Sequence, residues 1–212
     1  MKNLLMLAAL SVAMSGAASA QTMGSQAAGS ASSNGHAVTG QAVSSPSLGS
    51  QADPGQSYNS LMSMFESEMM GAVKAMPEDK FNFAPASALF VPAQKTSFEK
   101  VRTFADQARH VAQANYFFYA SQSGLKPDAD VRAIGNLKSK DEIVAALAAS
   151  FVFAHKAIAT LTAANANKVI KGADGVQTRA TLAAFGIAHG FDHYGQMVVY
   201  LRMNGIVPPA SR

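Results

Sequence analysis

Two histidines with a helical spacing, His189 and His193, are the residues of this chain best placed to do chemistry. Residues four apart lie on one face of a helix, so both imidazoles can point at a common atom. Neutral imidazole binds zinc, nickel, copper and iron, and a third histidine from a facing helix would complete a site with open positions for water or substrate. His110 is the natural candidate. Such a site could acidify a water molecule or polarise a carbonyl group, and Gln196, one turn beyond His193, could orient a ligand.

On spacing alone, the two histidines of the fourth helix need not bind a metal. Two histidines often meet at this spacing by chance, and both could simply hydrogen-bond inside a core. A zinc protease of the H-E-x-x-H type is disfavoured, because Gly190 stands where the general base should be and Asp192 is expected to face away. The sequence also lacks a G-x-S-x-G nucleophile motif and the paired carboxylates of di-iron bundles. We interpret His36 as a solvated loop residue and His155 as a structural one.

The composition describes one globular domain. The chain has 212 residues, of which 49% are hydrophobic and 14% are charged, which is enough to bury a substantial core. It contains no cysteine, so any metal must be held by His, Asp or Glu. The formal net charge is +4, and the basic residues are scattered without a run. We therefore expect no nucleic-acid surface.

The N-terminal residues predict export. Lys2, the apolar run from Leu4 to Ala13 and the small residues Ala18-Ser19-Ala20 have the features of a signal peptide over residues 1–20. The run is too short to span a bilayer, and no later stretch is long enough for a stable membrane anchor. Residues 21–56 are mostly Gly, Ser, Ala and Gln and are predicted to form a flexible tether. We expect a periplasmic or secreted protein.

Four amphipathic helices are predicted in the rest of the chain. They run over Tyr58–Met76, from Thr96 to about Gln122, from Ser139 to about Ala164, and from Thr178 to about Asn204. The second and third open with the capping-box pattern S/T-x-x-E, at Thr96–Glu99 and Ser139–Glu142. The apolar stripe of the first is Leu61, Phe65, Met69, Val73 and Met76. No stretch is convincing as a strand, so the pattern favours an all-α four-helix bundle.

Two further surfaces have expected roles. The segment from Pro77 to Gln94 is rich in phenylalanine and is a candidate pocket wall. The fourth helix carries a second apolar stripe roughly opposite its histidine face, formed by Ile187, Phe191, Val198 and Leu201. One bundle buries only one side of a helix easily, so this stripe predicts a homodimer.

Several segments together resemble the DinB-like family. They are His110-Val111-Ala112-Gln113-Ala114-Asn115, the Ser139–Leu147 segment SKDEIVAAL, His189-x-x-x-His193-Tyr194-Gly195-Gln196 followed by Val199-Tyr200-Leu201-Arg202, and Gly205-Ile206-Val207-Pro208-Pro209. The Met76–Phe83 segment is similar to the family's sequence after its first helix. The resemblance covers about Tyr58 to Arg212, which gives a family domain over residues 57–212. Its C-terminal part is the most specific.

The resemblance implies an up-down-up-down bundle, frequent dimerisation, and a divalent metal held by one histidine of the second helix and two of the fourth. Carried over to this sequence, the ligands are His110, His189 and His193. Residues that could line the pocket or support the ligands are Asn115, Gln196 and Tyr200. Relatives include metal-dependent transferases that use bacillithiol or mycothiol, and an isomerase. A signal peptide would take this chain away from the cytosol, where such thiols are abundant.

Three functions are compatible with these patterns. The first is an exported metal-dependent hydrolase or transferase that acts on a small molecule. The second is a non-catalytic metal-binding or ligand-binding bundle, whose site a fourth protein ligand would close. The third is a dimerisation module in which the histidines only hydrogen-bond. Three imidazoles suit several divalent ions, so the pattern does not distinguish zinc, nickel, iron and manganese.

Overall fold

Four long helices and a short hairpin make up the computed structural model, which describes residues 48–91, 95–172 and 175–212. In chain order the elements are α1 (Pro54–Ala75), α2 (Phe104–Ser123), the one-turn helix α3 (Val131–Ile134), α4 (Lys140–Ile158), the strands β1 (Val169–Gly172) and β2 (Gly175–Thr178), and α5 (Arg179–Met203). The all-α class is confirmed. The predicted signal peptide, residues 21–47 of the predicted tether and His36 lie outside the described residues. None of the helices in the described ranges is long and apolar enough to cross a membrane.

The start of α2 differs from the prediction. The sequence offers a capping box at Thr96–Glu99, but Lys100 has a φ of 63°, which a right-handed helix does not contain. The helix begins instead after Thr103, whose hydroxyl accepts a hydrogen bond from the Asp106 amide at 3.1 Å. The Asp106 carboxylate in turn accepts from the Thr103 amide at 3.3 Å. The box predicted at Thr96 was therefore wrong.

The starts of α4 and α5 agree with the prediction. The Ser139 hydroxyl accepts from the Glu142 amide at 3.2 Å, and the Glu142 carboxylate accepts from the Ser139 amide at 3.1 Å. The Thr178 hydroxyl caps α5 by accepting from the Thr181 amide at 3.1 Å. The end of α4 was predicted too late, because the helix stops at Ile158 rather than near Ala164.

Helix α1 starts earlier than predicted and turns a slightly different face inward. The Asp53 carboxylate caps it by accepting from the Gly55 amide at 2.8 Å, so residues 54–56 of the predicted tether are helical. The stripe residues buried as predicted are Phe65, Met69, Val73 and Met76. Leu61 is 40% exposed, and the neighbouring Met62 is fully buried instead.

The long helices do not alternate in direction as predicted. Contacts between α1 and α5 advance together along both helices, so these two run parallel. The rings of Phe65 and Phe191 have centroids 5.1 Å apart, and further along, Gly71 faces Pro209. In contrast, α1 runs antiparallel to α4, since Asn59 bonds to His155 near the end of α4.

Helices α2 and α4 are also parallel neighbours. Arg109 donates to the Leu137 carbonyl just before α4 at 2.7 Å, and further along, Asn115 donates to the Ser150 hydroxyl at 3.0 Å. Residues 124–139, which include α3, therefore return along α2 before α4 begins. The helix order is up-down-down-up. The predicted up-down-up-down order was wrong because this segment brings the chain back to the start of α2 before α4 begins.

A two-stranded hairpin joins α4 to α5. The strands β1 and β2 pair antiparallel, with Ile170 opposite Gln177 and Val169 opposite Thr178. The sequence prediction treated this stretch as a linker without strands, so the hairpin corrects it. Because Thr178 ends β2 and also caps α5, the hairpin fixes where the histidine-bearing helix starts.

The second apolar stripe of α5 faces the inside of the bundle. Ile187 and Leu201 are at most 2% exposed, and the Phe191 ring packs against Phe65 of α1. Phe191 and Val198 are half-buried. Because the stripe packs mainly within one chain, it gives no separate reason to expect a partner subunit. The homodimer stays a prediction that rests on the resemblance alone.

Candidate metal centre

Three histidines meet between α2 and α5. The Nε2 atoms of His110 and His189 lie 3.1 Å apart, and the His193 ring centroid lies 4.6 Å from the centroids of both other rings. One ligand atom from each histidine lies within 4.8 Å of the other two. The structure therefore brings together the three residues that the sequence predicted as ligands.

The spacing and the donor types fit a single divalent ion. Metal–nitrogen bonds of about 2.0–2.1 Å place two neighbouring ligand atoms about 3–3.4 Å apart. The distance of 3.1 Å between the Nε2 atoms of His110 and His189 lies in that range. Two ring nitrogens that face each other this closely need a proton or a cation between their lone pairs. Three imidazoles without a thiolate suit zinc and other first-row divalent ions.

A chain of side-chain hydrogen bonds fixes the orientation of His193. Its Nδ1 lies 2.6 Å from Oε1 of Gln107. Gln107 donates to Gln196 at 2.8 Å, and Gln196 donates to the Asp192 carboxylate at 3.1 Å. The Asp192 carboxylate can only accept, so the amide nitrogen of Gln196 must donate to it and the oxygen of Gln196 must accept from Gln107. The oxygen of Gln107 then faces His193, so Nδ1 of His193 must be the donor. Nε2 of His193 then keeps its lone pair for a metal.

Gln107 is the site residue that the sequence analysis missed. It is 1% exposed and lies one turn before His110 on the inner face of α2. A carboxamide at a fully buried position needs hydrogen-bond partners, and that requirement was the available signal. Its apolar neighbours Phe104 and Ala108 mark the inner arc of α2 without it.

The other predicted site residues lie further from the histidine nitrogens. Gln196 acts through Gln107, as described above. The Tyr200 hydroxyl donates to the Arg102 carbonyl at 3.2 Å, and its ring lies 5.7 Å from Phe83 of the segment predicted as a pocket wall. Asn115 is bonded to Ser150 between α2 and α4. Gln196 and Tyr200 therefore both reach His193 through Gln107, to which the Tyr200 hydroxyl is also hydrogen-bonded, whereas Asn115 does not.

His155 is separate from the other histidines. Its Nδ1 lies 2.8 Å from Oδ1 of Asn59, and its Nε2 lies 3.0 Å from the Glu66 carboxylate. Both ring nitrogens therefore connect α4 to α1. This position agrees with the structural role that the sequence analysis gave it.

Aromatic side chains border the histidines on one side. The Phe118 and Phe185 rings lie 5.3 and 6.2 Å from the His189 ring. Phe185 and the nearby Phe117 are large hydrophobic side chains that stay exposed. The surface beside the histidines is therefore apolar and open to a ligand.

Burial lowers the pKa of all three histidines. It lowers the pKa of His110 to about 4, with smaller contributions from Arg102 and His189. It also lowers the pKa of His193 to about 4, and the charges of the other two histidines add to the effect. For His189 the pKa is again lowered mainly by burial, while Asp192 opposes the shift. At neutral pH all three imidazoles are uncharged, which is the form that binds metal.

We expect the metal-free protein to lose stability in acid for this reason. Unfolded histidines titrate near 6.5, so as the pH falls the unfolded state binds protons before the folded state does. Stability should therefore fall from about pH 6.5 to about pH 4. Melting temperatures across this range measure the loss. A variant with glutamine at all three positions should show a smaller decrease, and an equal decrease would assign the effect to other groups.

Gly190, which follows the first histidine of α5, leaves no room for a catalytic glutamate. A Cβ atom built there would lie 2.1 Å from Cζ of Phe65. Any side chain would have to displace this buried ring. The structure thus gives a steric reason for excluding an H-E-x-x-H protease.

Comparisons with known proteins agree with the fold. The family model of the DinB superfamily matches residues 63–197, a range that contains all three histidines. A crystal structure of a DinB-like protein from Bacillus cereus ATCC 10987 is similar to this chain, with a TM-score of 0.59 and 15% sequence identity. The match covers 73% of this chain and 95% of that one, and at this identity it is a likeness of fold. The comparison with curated proteins finds no match.

Proposed function

The chain belongs to the DinB superfamily, and we propose that it binds one divalent metal ion through His110, His189 and His193. With this ion it would act as a hydrolase or transferase on a small molecule. The observation that carries the proposal is the convergence of three neutral imidazoles, whose ligand atoms lie within 4.8 Å of one another. The hydrogen bond that Nδ1 of His193 donates to Gln107 supports it further, because it leaves Nε2 of His193 free to bind the ion.

An ion in this place would supply Lewis acidity, either to acidify a water molecule or to polarise a carbonyl or phosphoryl group. The chain's own residues would position the substrate. The positive charge of Arg102 acts on all three histidines and would attract an anionic group. The exposed rings of Phe117 and Phe185 would contact an apolar part of the molecule. A substrate with both an anionic and an apolar part suits these surroundings.

An open site is favoured over a sealed one. Within the described ranges, the cluster of possible ligand residues holds three histidines and no fourth His, Asp or Glu. Catalytic zinc sites typically have three protein ligands, whereas structural ones have four. This donor count is the reason to prefer an enzyme over a non-catalytic metal-binding bundle.

Export and homodimer formation are further proposals. Export rests on residues 1–20, and the homodimer rests on the family resemblance.

Metal analysis of untagged protein tests the proposal. We expect about one ion per chain by elemental analysis, since the site offers one set of ligands. A variant with alanine at His110, His189 and His193 should contain none. His155→Ala is the matched control and should keep full occupancy, because His155 bonds only to α1. Equal metal content in the triple variant and the wild type would rule the site out and leave the dimerisation module as the better candidate.

Cobalt substitution separates an open site from a closed one. The visible spectrum of a cobalt-loaded protein responds to changes in coordination, so azide should shift it if a position is free. A spectrum that azide leaves unchanged at saturating concentration would favour the non-catalytic alternative with a further protein ligand.

A further inference from the structure

A cavity lies at the end of the α2–α5 pair that is remote from the histidines. It has a volume of about 400 Å³, and its wall includes Gln122, Lys168 and Arg179. At about 1.5 Å per residue, Gln122 is about 18 Å along α2 from His110. The cavity is therefore distinct from the histidine cluster.

The wall of this cavity carries positive charge without a balancing carboxylate. Lys168 and Arg179 contribute to it, and none of its described lining residues is acidic. The ion pairs found in the described part of the chain involve neither of these two side chains. A pair of cations on a concave surface attracts an anion.

Arg179 is held in place by uncharged groups. Its Nε donates to the Gln122 carbonyl at 2.8 Å, and its two terminal nitrogens donate to the hydroxyl and the carbonyl of Thr160 at 2.6 and 3.5 Å. These bonds leave some of the guanidinium N–H donors unused. They also give Arg179 a structural role, because they connect the end of α2 to the residues after α4. Lys168 has no such bond among the described residues, so it is the better residue to replace.

Gln122 adds a buried polar group that has no partner. The residue is 1% exposed, and within the described ranges neither its Nε2 nor its Oε1 makes a hydrogen bond. Proteins leave few buried amides in this state, and each exception asks for an explanation. Gln122 forms part of the wall, so its amide is a candidate hydrogen-bonding group for a molecule in the cavity.

We propose that this cavity binds a small organic anion, with a carboxylate or phosphate group between Lys168 and Arg179 and a hydrogen bond from Gln122. The volume lies at the lower end of the range for ligand pockets, about 300–1,000 Å³. Ile170 supplies an apolar contact for the rest of the molecule. This binding requires no metal and is independent of the histidine site.

Titration of the purified protein with inorganic phosphate and, separately, with succinate tests the proposal. Amide NMR signals of Gly124 and Lys168, both on the cavity wall, should shift and saturate. Lys168→Gln should weaken binding about tenfold, since it removes a charged hydrogen bond. Lys171→Gln removes the same charge from an exposed position on β1 outside the cavity wall, and it should leave the affinity unchanged.

The outcomes distinguish the anion and the site. Saturable binding of phosphate alone assigns a phosphorylated ligand, and binding of succinate alone assigns a carboxylate. Shifts confined to amides near His193 would show an anion at the histidine cluster and would overturn the proposal. Absence of saturable shifts with both anions would overturn it too. So would equal losses in the Lys168 and Lys171 variants, since the effect would then come from the overall charge of the protein and not from the cavity wall.

Discussion

Alanine in place of Gly190 should destabilise the protein by about 3 kcal/mol, the upper part of the usual range for overpacking a core. The added methyl would lie 2.1 Å from Cζ of Phe65. That ring cannot move aside easily, because it packs 5.3 Å from the Phe151 ring and 5.1 Å from the Phe191 ring. The clash must therefore shift α5 itself or distort the core. Urea denaturation measures the change in the free energy of unfolding.

Gly195→Ala is the matched control. Gly195 lies on the same helix, and a Cβ atom built there meets nothing within 4 Å. Alanine is the better helix former by about 0.8–1.0 kcal/mol, so this variant should be more stable than the wild type. The two substitutions are chemically identical and should act in opposite directions. Similar free energies of unfolding in both variants would contradict the packing described for Gly190.

Gln107→Leu should weaken metal binding about 10–100-fold, the usual effect of removing a group that orients a ligand. Leucine has a similar size but cannot accept the hydrogen bond from Nδ1 of His193. The imidazole is then free to rotate or to carry its proton on Nε2, where it blocks the metal. Competition with a chromogenic chelator measures the affinity, and the visible spectrum of the cobalt form reports the altered geometry.

Two further variants show whether the effect is specific. Gln107→Glu keeps an acceptor at His193 and should restore most of the affinity. Gln113→Leu makes the same change on the same helix, at a residue that bonds to the Val131 carbonyl instead. It should bind metal as the wild type does. An equal loss in the Gln113 and Gln107 variants would show that the effect comes from α2 as a whole.

The proposed ligands could be predicted from the sequence because the main signal is local. His189 and His193 share a helix face by spacing alone, His110 was the candidate third histidine, and the resemblance supported it. The support from Gln107 could not be found in the same way, because it depends on which side chain of α5 stands opposite it. Its partners His193 and Gln196 lie 86 and 89 residues away in sequence. Local sequence patterns do not show which residues make contact over such separations.

The same limit explains the errors in the fold. Thr96 and Thr103 both precede an acidic residue at the right spacing, and only tertiary contacts decide between them. The Phe104 and Ala105 amides donate to carbonyls of the preceding segment at 2.8 Å, which holds the first turn of α2 in place. The direction of α4 likewise depends on where residues 124–139 run. An amphipathic pattern predicts the buried face of a helix but not the course of the segment before it. The hairpin had a local signal, Asp174-Gly175 with Val169-Ile170 before it and Val176 after it.

The parallel pairing of α1 with α5 affects how the protein can fold. The first and last long helices share the core around Phe65 and Phe191, so the core closes only when distant parts of the chain have met. Contacts of long sequence separation slow folding. His110 and His189 are 79 residues apart, so the histidine cluster forms through such a contact. Because α5 is translated after the other three long helices, the proposed ion could bind only after all of them have been made, and metal content should report the fraction of molecules that reached the native state.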